Sequence, residues 1–185
     1  MKLKFGFTLI ELVLVVIVLA ILAVTVLPRF VNLKTDSYEA SLASIHGTIA
    51  AANDMVASEI YVRPQNLNAA RSRFTLSDGQ IIRIRAGFPD GRWNQTFQHI
   101  VDISGADQVS TQLCSTANWC VRQRGNNWFR NQGLTAATEG RGFVLFPRGY
   151  NFNTQRCYAY FFTPNGSATP ANPLPPVHGV DHEEC

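Results

Sequence analysis

The segment MKLKFGFTLIELVLVVIVLAILAVTVLPRF, residues 1–30, determines how the rest of the chain is organised. Residues 7–27 are almost entirely apolar, and a helix rising about 1.5 Å per residue over that length can cross a hydrocarbon core of about 30 Å. Glu11 is the one acid in this run. Because a carboxylate near the centre of a membrane helix costs roughly 2.5–3.5 kcal/mol on insertion scales, we expect Glu11 to have a partner.

The flanks of this run indicate how it is used. Its C-terminal end lacks the small residues of a secretory cleavage site, so we expect the apolar segment to be retained. Lys2 and Lys4 precede it and favour a cytoplasmic N-terminus.

An apolar stripe continues beyond Pro28, at alternating spacings of four and three residues. Its members are Tyr38, Leu42, Ile45, Ile49, Ala52, Val56 and Ile60. This spacing is typical of one face of an amphipathic helix, so we predict one helix from residue 7 to about residue 60. Pro28 removes an internal hydrogen bond and is the predicted helix kink.

The remaining sequence predicts a small antiparallel sheet. Residues 80–85 have the alternation of a half-buried strand, and the aromatic-rich runs 142–147 and 157–163 predict a hairpin. Helical spacing predicts a short helix over residues 93–103. The proline-rich tail, residues 167–180, is predicted to be mostly irregular.

Four cysteines lie beyond the apolar segment, at Cys114, Cys120, Cys157 and Cys185. An even number in a part of the chain that is exported favours two disulfides and an oxidising compartment. Three pairings exist. We favour the local pairing, Cys114–Cys120 with Cys157–Cys185, because Cys185 is the terminal residue and its bridge tethers the proline-rich tail. No C-x-x-C spacing occurs, which disfavours a zinc ribbon or a thioredoxin-type site.

The sequence Gly6-Phe7-Thr8-Leu9-Ile10-Glu11, after a short basic leader and before an apolar helix with Pro28, resembles the N-terminus of a type IV prepilin. The resemblance implies that a prepilin peptidase cleaves between Gly6 and Phe7 and methylates the new N-terminal Phe7. It also implies that Glu11 pairs with the Phe7 amine, in the same chain or in a neighbouring subunit, and so sets the register of assembly. Residues 28–33 and 40–44 are similar to those of the MSHA (mannose-sensitive haemagglutinin) pilin subgroup.

This resemblance implies an α+β fold, the type IV pilin fold, with a long N-terminal helix packed on a small antiparallel sheet and a disulfide-closed C-terminal loop. The expected organisation is a leader at residues 1–6, a transmembrane and filament-core helix at 7–27, and the amphipathic half of that helix at 28–62. A globular antiparallel-sheet domain would follow at residues 63–185.

The implied function is that of a structural subunit, a major or a minor pilin, of an MSHA-like type IV pilus used in surface adhesion or motility. The subunit would reside in the inner membrane as a precursor and then in an extracellular pilus on a Gram-negative cell. Its partners would be other pilin subunits, prepilin peptidase, the inner membrane, the pilus assembly platform and a host or abiotic surface. A type II secretion pseudopilin, a DNA-uptake minor pilin and a plain single-span membrane protein remain alternatives.

Two other groups of residues carry side chains of the kinds that bind nucleic acid or a metal ion. Residues 126–131, with Arg122, Arg124 and Arg141 nearby, mix cations and aromatic rings as a single-strand nucleic-acid binder does. We favour the alternative, in which Trp128 and Phe129 pack under a loop and the arginines stay solvated. His178, Asp181, His182 and Glu183 have ligand chemistry, but the H-x-x-x-H spacing brings side chains together only on a helix. The preceding prolines disfavour a helix there, so we predict no metal site. No nucleophile with a base, and no phosphate loop, is evident. We therefore expect neither an enzyme nor a cofactor.

Overall fold

The computed structural model describes residues 8–63, 72–164 and 174–185, without the side chains of residues 25–34. The chain divides into two compact units, Met1–Tyr38 and Glu39–Cys185. Helix α1 spans Leu9–Val62 and contributes to both units.

The strands of the described residues form two sheets. The first has the order β1 (Ser72–Thr75), β2 (Ile81–Arg85), β3 (Phe88–Pro89), and both of its pairings are antiparallel. The second has five strands in sequence order, namely β4 (Ala106–Gln108), β5 (Trp119–Gly125), β6 (Gly140–Pro147), β7 (Tyr158–Pro164) and β8 (Val177–Asp181). In this second sheet β4 pairs with β5 in parallel, and the other pairings are antiparallel.

The stripe predicted on α1 is buried from Leu42 onwards, whereas Tyr38 is half-buried. Near the end of the helix, Val56 and Ile60 share one core cluster with apolar side chains of the three-stranded sheet. Those partners are Phe74, Ile82 and Ile84 on the strands, together with Leu76 directly after β1. Fully burying one such side chain contributes about 1.5–3 kcal/mol, so this cluster joins helix and sheet firmly.

The five-stranded sheet is covered on both faces. On one face the ring of Phe97, in the short helix α2 (Phe97–Ile100), lies 4.3 Å from the ring of Phe161, centroid to centroid. On the other face Phe129, in helix α3 (Asn126–Asn131), lies 4.7 Å from the ring of Phe162. Successive residues of β7 point to opposite faces, so each phenylalanine anchors a different layer.

The expected fold class, a type IV pilin fold, is wrong. The sheet is not a single small antiparallel one, because the strands form two sheets and the larger contains a parallel pair. The long helix is not packed as a whole on a sheet either, since the part before Glu39 belongs to a separate unit. The expected disulfide-closed C-terminal loop in fact contains a strand, β8, which pairs with β7 and is followed by four residues up to Cys185.

Several local predictions are confirmed and others need correction. The strand at residues 80–85 and the hairpin of β6 and β7 are present. The short helix predicted at 93–103 is instead a 3-10 turn, Trp93–Gln95, followed by α2. The tail was predicted to be mostly irregular, but residues 177–181 form β8, because the prolines stop at Pro176 and the following backbone is free to pair.

Candidate assembly surface

The first part of α1 is apolar on every side and exposed. Its thirteen large apolar side chains between Leu9 and Val24 keep from 46% to 81% of their surface accessible. A helix that is apolar all round is stable only inside lipid or inside a larger protein core. This segment is therefore a surface that needs an apolar environment.

Glu11 lies in the first turn of α1 and is held by Thr8. The backbone N–H and the hydroxyl of Thr8 donate to Glu11 Oε2 at 3.0 and 2.9 Å, and the Glu11 N–H donates back to the Thr8 hydroxyl at 3.4 Å. This reciprocal arrangement is a capping box, which satisfies backbone N–H groups that a helix start leaves unpaired. The carboxylate thus has a partner within its own chain.

Within the described residues, no helix is both long and apolar enough to cross a membrane. The predicted transmembrane segment, residues 7–27, extends outside those residues at its start and into the undescribed side chains at its end. The predicted cleavage site at Gly6 and Phe7, the methylation of Phe7 and the Pro28 side chain also lie outside the described part of the chain. They stay predictions.

The predicted disulfides are confirmed. Cys114 pairs with Cys120, closing a separation of six residues, and Cys157 pairs with Cys185 across 28 residues. The second bridge joins the chain just before β7 to the end of the segment that contains β8.

Charged groups also hold the segment that contains β8, in addition to the Cys157–Cys185 disulfide. Arg156 Nε donates to Asp181 Oδ2 at 2.7 Å, its backbone N–H donates to Glu184 at 2.8 Å, and its guanidinium also bonds Glu183. The hydrogen bond to Asp181 raises the pKa of Arg156. Burial, reinforced by the Asp181 carboxylate, raises the pKa of Tyr158, so that phenol stays neutral.

A histidine pair links β8 to α1. Nε2 of His46, on the helix, lies 2.9 Å from Nδ1 of His178, on β8, and the His178 ring stacks on Phe161. Burial and the neighbouring His46 lower the pKa of His178, while Asp54 opposes them. A short contact between two imidazoles requires one ring to donate and the other to accept, so at least one of them is neutral.

Of the residues considered for nucleic-acid binding, the two aromatic rings pack into the domain, whereas Arg130 is exposed. Phe129 is fully buried, and the Trp128 indole N–H donates to Asn153 at 2.9 Å. The guanidinium of Arg124 lies 4.6 Å from the centroid of the Phe152 ring, and burial and the nearby Arg122 lower the pKa of Arg124. These contacts do not form a flat platform on which bases could stack.

Sequence reasoning missed two of these features. The capping role of Thr8 could have been predicted from the sequence, because Thr-x-x-Glu before an apolar run is the signature of a capping box. The pairing of His46 with His178 had no local signal, since 132 positions separate the two residues.

Comparisons of the chain with protein-family models, curated proteins and solved structures find no match.

Proposed function

We propose that this chain is the subunit of an MSHA-like type IV pilus, a filament that assembles through the N-terminal part of α1 and serves surface adhesion or motility. The subunit is made as an inner-membrane precursor, cleaved after Gly6, methylated at Phe7 and then exported into the filament. The observation that carries the proposal is the exposed apolar surface from Leu9 to Val24, with Glu11 as its only charge.

The energetics require this surface to stay covered, first by lipid and then by neighbouring helices. Its large apolar side chains are about half exposed, so covering the remainder of each contributes on the order of 1 kcal/mol relative to water. The set together contributes on the order of 10 kcal/mol, which lipid supplies before assembly and neighbouring helices supply afterwards.

Glu11 gives this apolar contact its specificity. Cleavage after Gly6 creates an amine on Phe7, directly before the Thr8 N–H that already binds the Glu11 carboxylate. Two opposite charges are tolerable together in apolar surroundings, whereas one alone is costly, so the amine and the carboxylate favour one register.

Two variants separate the charge of Glu11 from its role as a helix cap. Glutamine also serves in a capping box, so Glu11→Gln keeps the cap and removes the charge. Thr8→Ala removes the cap, at a cost of about 1 kcal/mol of helix stability, and keeps the charge. We expect Glu11→Gln to abolish filaments and Thr8→Ala to leave them, with Asp36→Asn, an exposed acid further along α1, as the control for loss of charge.

Intact mass spectrometry of filaments sheared from cells tests processing and export together. The proposal requires a species that begins at methylated Phe7. A processed form confined to the membrane fraction would refute surface export and would instead support a pseudopilin. An uncut Met1, or normal filaments from Glu11→Gln, would refute the proposed assembly.

A further inference from the structure

A basic cleft lies beside the three-stranded sheet. Its volume is about 330 Å³, at the lower end of the range for small-molecule sites. Arg73, Arg83 and His99 supply its basic groups, Asn94 and Gln95 supply amides, and the exposed Ile81 adds an apolar wall. None of the residues that line it is acidic.

The two arginines lie directly opposite each other. Arg73 on β1 is the register partner of Arg83 on β2, so both side chains leave the same face of the sheet. Like charges in this position destabilise a sheet. Among the described residues no carboxylate forms an ion pair with either guanidinium, so no ion pair in that part of the chain offsets their repulsion.

The amides of the cleft present donors. Gln123 donates to Asn94 Oδ1 at 2.7 Å, and Arg92 donates to Gln95 Oε1 at 3.1 Å. With both amide oxygens engaged by neighbours, the NH₂ groups are the part left to serve a ligand.

The walls of the cleft are fixed relative to each other. The buried Thr96, between the 3-10 turn and α2, donates its hydroxyl to the Arg83 carbonyl at 2.9 Å. The Asp90 N–H donates to the same carbonyl at 3.0 Å. These bonds hold the amides and His99 beside the arginine pair, so a ligand meets a site that is already arranged.

We infer that this cleft binds a small organic molecule through an oxyanion group: a phosphate, sulfate or carboxylate. Two guanidiniums on one face and adjacent amide N–H groups match the acceptor oxygens of such a group, and guanidinium contacts to oxyanions are among the stronger hydrogen bonds. The bound charge also offsets the repulsion between Arg73 and Arg83, so ligand binding and stability of the three-stranded sheet are linked.

The test is calorimetric titration of the full-length chain in neutral detergent micelles. Glucose 6-phosphate is the probe, glucose is its neutral counterpart, and inorganic phosphate reports whether the free ion suffices. We expect saturable binding of glucose 6-phosphate and none of glucose. Binding of inorganic phosphate with equal affinity would show that the oxyanion alone is recognised and would overturn the organic part of the inference.

The double variant Arg73→Gln/Arg83→Gln should weaken binding by about tenfold or more, while Arg130→Gln, an exposed arginine on α3, should leave it unchanged. Without ligand, Arg73→Gln alone should raise the urea midpoint, because it relieves the like-charge pair. A lower midpoint would show that the arginines hold the fold together instead of awaiting a ligand. Absence of saturable binding, or equal binding by the double variant, would overturn the site.

Discussion

Removing the two disulfides separately should destabilise the protein by different amounts, with the larger loss for the bridge that closes the longer loop. The variants are Cys157→Ala/Cys185→Ala and Cys114→Ala/Cys120→Ala. In the chain-entropy treatment a bridge stabilises by restricting the unfolded chain, so the separations of 28 and six residues set the magnitudes. They correspond to about 3.6 kcal/mol for the longer bridge and about 2.2 kcal/mol for the shorter one.

The comparison between the two variants is more informative than either value alone. Each variant removes buried sulfur, because Cys114, Cys120 and Cys157 are buried, so the losses of packing partly cancel. The measurement is urea unfolding of the full chain in micelles, followed by tryptophan fluorescence, with the unmodified protein alongside. We expect the variant lacking Cys157–Cys185 to be less stable than the other by about 1.4 kcal/mol.

Equal losses, or a larger loss from the Cys114–Cys120 variant, would refute this reasoning. Either result would mean that the segment before Cys185 is restrained in the unfolded or native chain by other contacts. The ion pairs and hydrogen bonds of Arg156 with the same segment are the obvious source. A further substitution, Arg156→Gln, in the disulfide-free background would then show an enlarged effect.

Three further predictions follow from the packed domain. Asp90→Asn should lower the free energy of unfolding by about 3–5 kcal/mol, because it removes the carboxylate that lies 3.4 Å from the buried guanidinium of Arg85. Urea unfolding measures this loss, and a loss below about 1 kcal/mol would contradict the prediction. Because the pKa of His178 is lowered on folding, the unfolded chain binds its proton first, so stability should fall as the pH drops below about 6.5. His178→Phe should flatten that part of the stability profile, and an unchanged slope would exclude this histidine as its source. Gly142→Ala should destabilise the protein strongly, because the added Cβ would collide with the backbone of β7 and with a ring of α3. Gly125→Ala places its Cβ in open space and should be tolerated. Similar urea midpoints for the two variants would refute this difference.

Local patterns predicted the elements that have a strong periodicity. The stripe on α1, the alternation around Ile82 and Ile84 and the aromatic runs of β6 and β7 all rest on burial of one face, which the sequence itself encodes. The even number of cysteines predicted two disulfides, and the local pairing favoured among the three is the one observed.

What the sequence did not predict depends on partners distant along the chain. Strand β5 carries Arg122 and Arg124, so its composition reads as polar, yet it lies inside a sheet between β4 and β6. Strand β8 is short and follows Pro176, and only its pairing with β7 makes it a strand. The cleft at Arg73 likewise depends on register between β1 and β2, which no local motif specifies.

The lengths of the outermost strands bear on how copies of this chain can associate. The edges of the two sheets are β1, β3, β4 and β8, with four, two, three and five residues. An edge must be long and flat to recruit a strand from another molecule, and charged side chains on it discourage such pairing. Arg73 on β1 and Asp107 on β4 add that charge. The globular unit therefore has little tendency to pair with copies of itself through its sheet edges into amyloid-like stacks.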